Sequence, residues 1–136
     1  MSIKTESKSA GMPVAESISV ADLVSYQEGS VVSRTLVKRN GGTVTLFAFD
    51  RGQGLSEHTA PFDALVQILD GEAELVIGGK RLMAAAGKTV LMPANIPHAL
   101  NAPQRFKMLL TMVREVATVS DSAISAPGTK GTLRAS

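Results

Sequence analysis

At 136 residues, 44% of them apolar, the chain has the length and the hydrophobic content for one domain around a single core. A formal charge of +2 and only 4% aromatic residues argue against a basic, aromatic-studded nucleic-acid surface. The absence of cysteine excludes disulfides and thiol chemistry, and no apolar run approaches the roughly 18 residues of a membrane span. Because residues 1–10 also lack the apolar centre of a secretory signal, the expected location is cytoplasmic.

Residues 1–13 are polar and patternless and are expected to form a loosely held tail. Further on, Ser19 or Asp22 could cap a short helical turn through Leu23 and Tyr26, while Ile18, Val20 and Val24 would equally suit an edge strand. Beyond Gly29 the text becomes β-like. Residues 31–38 and 43–49 flank Asn40-Gly41-Gly42, a strong hairpin signal. Residues 64–69 and 73–77 read as two strands joined through Asp70-Gly71, and Gly78-Gly79 turns the chain into residues 81–84. Residues 89–92 form a strand stopped by Pro93, which has no N–H for a central ladder, and residues 98–100 start another. Residues 106–113 form the last. Short strands at intervals of roughly 8–12 residues predict an all-β sandwich or barrel over residues 14–116, with residues 117–136 as a flexible tail.

The chemistry concentrates in two stretches, 51–71 and 87–101, which hold the two histidines, His58 and His98. Glu72 and Glu74 alternate with Ala73 and Leu75 and read as a solvated face. No phosphate-binding glycine loop, nucleophile triad or inward carboxylate pair is present.

These stretches resemble the paired motifs of the cupin superfamily. In the first motif, Gly52 is followed by five residues and then His58, and the closing glycine falls at Gly71. In the second, Gly87, Pro93 and His98 match in place, Asn95 stands for a glycine and Asn101 sits one position early. Asparagine is a fair exchange because it tolerates left-handed backbone. The resemblance covers residues 31–113 and implies a double-stranded β-helix, the cupin jelly-roll barrel, with a pocket in its mouth. It also implies a divalent metal, iron, manganese, nickel or zinc, held by three histidines and a glutamate. Here His58 and His98 survive, whereas Ala60 and Ala64 occupy the other two positions. Two imidazoles leave a catalytic metal at least one protein ligand short of the usual three. Glu57 and Asp63 have the wrong parity to replace them, unless a bulge within residues 59–62 rotates Asp63 inward.

The candidate metal residues are therefore His58 and His98, and the candidate pocket lining is Ala60, Phe62, Ala64, Met92, Met108 and Met112. Ordinary barrel core is the simpler reading of the last three and of Phe62, and Pro61 is expected to fix a loop rather than touch a ligand. Three functions compete: a module binding a small molecule between two histidine anchors, a metal-dependent oxygenase-like or isomerase-like enzyme, and a structural barrel with a collapsed pocket. The loss of the family's second histidine at Ala60 and of its glutamate at Ala64 favours the first over the second. Finally, residues 31–37 and 108–113 are apolar on both faces, and a solvated sheet face would not need that. A homodimer is expected.

Overall fold

A computed structural model describes residues 3–5 and 11–115. Nine strands follow in order: β1 (Ile3–Thr5), β2 (Val31–Arg39), β3 (Gly42–Phe49), β4 (Gly54–His58), β5 (Asp63–Ile77), β6 (Lys80–Ala85), β7 (Thr89–Met92), β8 (His98–Asn101) and β9 (Phe106–Val113). They make two facing sheets that share β5. One runs β1-β2-β3-β9-β5-β7, and the other runs β6-β5-β8-β4. The result is the double-stranded β-helix that the sequence led us to expect.

Sharing is possible because β5 is long. Its first half, from Ala64, pairs with β9 and β7, and its second half, from Glu72, pairs with β6 and β8. The Asp70-Gly71 step, read in the sequence as a turn between two strands, is instead a bulged corner inside one strand. Gly71 makes the corner with φ +73°, and a Cβ there would lie 1.9 Å from the Arg105 carbonyl oxygen. Only glycine combines that backbone conformation with that approach.

Inward side chains alternate as the pleat requires. Val31, Phe49, Val66, Ile68, Leu75, Leu100, Phe106 and Met108 fill the interior, with Phe49 and Phe106 stacked at 4.4 Å. The outer face of the larger sheet carries a second, smaller core of Val32, Leu36, Leu46 and Ala48. A strap at residues 18–29 covers it. The strap contains a 3-10 turn at Val20–Leu23, not an edge strand, and packs Val20, Leu23, Val24 and Tyr26 onto that face. Tyr26 donates to Asp70 Oδ2 at 2.5 Å, lies under the Arg105 and Lys107 cations, and Lys107 Nζ donates to the Ala21 carbonyl at 2.8 Å. Burial first and the Asp70 carboxylate second push the Tyr26 phenol well above its ordinary range.

The strap accounts for much of the two-faced apolarity in β2, β3 and β9, because the chain covers those outward side chains itself. Strand β1 falls in the stretch expected to be loosely held. It runs parallel to β2, pairing Ile3 with Val31. At three residues the strand is too short to show a side-chain period. Gly11 adds a bond from its N–H to the Thr35 carbonyl at 2.7 Å. The expected tail at 117–136 lies outside the described residues.

Candidate functional site

β4 and β8 lie antiparallel with His58 directly opposite His98. A register shift between Leu55 and His58 sets that pairing. The second motif works through its turn: Asn95 takes φ +65°, as its substitution for glycine suggested, and its N–H donates to the Ala60 carbonyl at 2.7 Å. That bond ties the loop before β8 to the loop after β4 and so holds the two histidine strands together.

The imidazole centroids are 4.5 Å apart, edge to face at 70°. His58 Nδ1 lies 2.8 Å from the Ser56 carbonyl oxygen, and His98 Nδ1 lies 3.2 Å from that of Ile96. A carbonyl can only accept, so each neutral ring carries its proton on Nδ1 and keeps a lone pair on Nε2. Both rings are therefore in the tautomer suited to accepting a hydrogen bond or ligating a cation. Their surroundings differ. His98 is buried, and His58 is exposed. Burial depresses the His98 pKa, and repulsion from His58 adds to that effect.

Both histidines line a cavity of about 350 Å³ between the sheets. Ala60, Phe62, Ala64, Met92, Met108 and Met112 line it too; Met92 and Met108 are buried barrel core and cavity wall at once, whereas Phe62 and Met112 are only partly buried. Leu55, Leu100 and Leu110 complete the apolar wall, and Pro61 also borders it. Leu55 escaped notice because β4 carries no clear strand pattern in the sequence. Its alternation is short and its far end is polar.

Asp63 does not turn inward. It is exposed, and its Oδ1 accepts from the Ala94 N–H at 2.9 Å, so it pins the loop after β7. Glu57 is exposed and does not line the cavity. Glu74 accepts from Asn101 at 3.1 Å and pairs with Arg81 at 3.2 Å on the outer surface. Among the described residues, no group of three or more His, Cys, Asp or Glu side chains could hold a metal. The donors present do not make the three-ligand centre of a catalytic first-row metal.

The cupin domain profile matches residues 45–113. Among solved structures, a conserved protein of unknown function from Streptococcus pyogenes is 39% identical with a TM-score of 0.76, the match covering 79% of this chain and 94% of that one. A cupin 2 conserved barrel domain protein from Leptotrichia buccalis is 43% identical with a TM-score of 0.68, over 69% of this chain and 46% of its own, so the match spans about half of that protein. A cupin superfamily protein from Desulfitobacterium hafniense is 28% identical with a TM-score of 0.73, over 77% and 96%. No curated protein matches. With residues 45–113 inside the profile and the motif glycines, Pro93 and both histidines at the turns and strand ends that build the cavity, the chain belongs to the cupin family.

Proposed function

We propose that this cupin is a binding module for a small, largely apolar molecule, oriented by His58 and His98. The observation that carries this reading is the cavity of about 350 Å³, which has apolar walls and two adjacent imidazoles with lone pairs on Nε2. A pocket of that size holds a small ligand, and a few convergent polar groups in an apolar wall are how such pockets fix orientation. Ala60 and Ala64 widen the space beside the imidazoles.

Methyl NMR of the methionines tests it. Small apolar fragments carrying one hydrogen-bond donor should shift the Met92, Met108 and Met112 signals and leave Met83 unmoved. Ala64→Leu, which fills the wall, should abolish those shifts. Fragments that move all methionines equally, or none, would sink the reading.

One observation supports a second reading, a weakly held divalent cation. The paired rings both present Nε2, and water or the ligand would have to complete the coordination. Such a site binds with little selectivity. Calorimetry with zinc or nickel on the native chain should show weak, exchangeable binding. Ala60→His with Ala64→Glu should tighten it by orders of magnitude. Equal, negligible binding by both proteins removes the metal from this site.

We also infer that the protein works as a homodimer in the cytoplasm. Among the described residues no helix is long and apolar enough to cross a membrane.

A further inference from the structure

A smaller pocket of about 100 Å³ adjoins the main cavity, with Phe62 and Met112 lining both. Its other walls are Lys38, Arg39, Gly42, Thr43 and Arg114. Three cations thus gather beside an apolar chamber.

A backbone irregularity turns one of them, Lys38, toward this pocket. A β-bulge in β2 shifts its register between Thr35 and Val37, with Leu36 as the extra residue. Leu36 packs into the outer core, Val37 pairs with the outward Val44, and Lys38 pairs with Thr43. Thr43 in turn pairs with Met112, and Met112 with Ala64, both of which line the cavity. Without the bulge, strict alternation would put Val37 on the inner face and Lys38 outside.

The two arginines are held and still have donors to spare. Arg39 Nη1 donates to the Lys38 carbonyl at 2.8 Å, and Arg114 Nε donates to the Asn40 carbonyl at 2.9 Å. Neither bond uses the remaining guanidinium nitrogens, and Lys38 Nζ has no hydrogen bond among the described residues. The salt bridges among the described residues involve none of the three. Asp63 and Glu115 line an adjoining depression with Arg114, but neither lines this pocket. The Thr43 hydroxyl oxygen is buried with no hydrogen-bond partner among the described residues, so presenting it to a bound oxyanion would break no hydrogen bond seen there.

We propose that this annex is an anion site, and that the ligand is a small carboxylic acid: an apolar body in the barrel with its carboxylate at Lys38, Thr43 and Arg114. The proposal rests on the cavity being a ligand pocket and specifies the ligand's class. Guanidinium and ammonium donors give charge-assisted hydrogen bonds to a carboxylate, which a neutral amide of the same shape cannot match.

The test is calorimetry at low ionic strength with benzoate, 4-phenylbutyrate and octanoate, each against its primary amide. At least one acid should bind about tenfold tighter than its amide. Lys38→Met and Arg114→Met should each cut that preference to roughly threefold or less, whereas Lys80→Met, on the β6 hairpin, should leave it intact. Thermal melts confirm that these exposed substitutions leave the fold unchanged. Equal affinity for acid and amide overturns the anion site and leaves the cavity reading standing. A preference for acid that survives both annex variants also overturns it, because the carboxylate is then held elsewhere. Binding of neither acid nor amide overturns both.

Discussion

His98 shows how one side chain can be legible by position and still hidden in its chemistry. Its place after Pro97, with His58 upstream at motif spacing, marked it in the sequence as facing a partner imidazole. Its burial and its bond to the Ile96 carbonyl emerge only from the fold. Burial first, then His58, hold its folded pKa below the ordinary value of 6.5. The unfolded chain therefore binds more protons than the folded one between the depressed pKa and about 6.5, and stability rises with pH across that window. Stability should be flat above roughly pH 7, fall as the pH drops below 6.5, and level off once the folded-state pKa is passed. Urea denaturation across pH 4.5–8 checks this, with His98→Gln as reference. The native chain should show a loss below pH 6.5 that the variant lacks, and an identical profile for the two would sink the assignment. Asp63 shows the converse. Its sequence position allowed a role in the cavity, and its carboxylate instead accepts from the Ala94 N–H and pins the loop after β7.

At the scale of elements, strands with strong alternation were readable and the joints between them were not. Residues 106–113 read correctly because Phe106, Met108, Leu110 and Met112 mark every second position, and residues 89–92 because Pro93 stops a short apolar run. Two bulges, at Leu36 and at Leu69 just before the Gly71 corner, were invisible because a single extra residue leaves composition untouched while reversing every later side chain. Both have consequences: one re-aims Lys38, and the other lets β5 pass between sheets. The β5 corner can be tested at Gly71. Alanine there must hold φ near +73° with its Cβ against the Arg105 carbonyl oxygen, so the 104–106 backbone has to move. Gly71→Ala should cost about 3 kcal/mol, a fall of roughly 10 °C or more in Tm for a domain of this size. Gly79→Ala is the control, since it has a positive φ but open space around it. It should cost about 1 kcal/mol. Equal losses at the two positions would mean that backbone conformation alone, not the sheet corner, makes Gly71 necessary.

For the molecule as a whole, the question is what the outer face of the larger sheet is for. The sequence suggested a dimer because β2 and β9 are apolar on both sides, and the strap now explains one half of that face. Among the described residues, nothing covers the other half. Leu91, Leu65, Thr111, Val44 and Val37 stand in one row across β7, β5, β9, β3 and β2. Leu65 is 36% exposed, Leu91 55% and Val37 39%. A β-sheet face turned to water usually alternates with polar side chains, whereas this row interrupts them only at Thr111. The row faces away from the cavity, so pairing two copies through it would leave both cavities and both annexes free. Light scattering should therefore give about twice 14.2 kDa at micromolar concentration. Leu65→Lys with Leu91→Lys should return the monomer mass with circular dichroism and carboxylate binding unchanged, because neither residue lines a cavity. A native chain at the monomer mass would sink the dimer outright. A dimer that survives the double lysine variant would move the interface elsewhere, and the free edge of β7 would be the next surface to test.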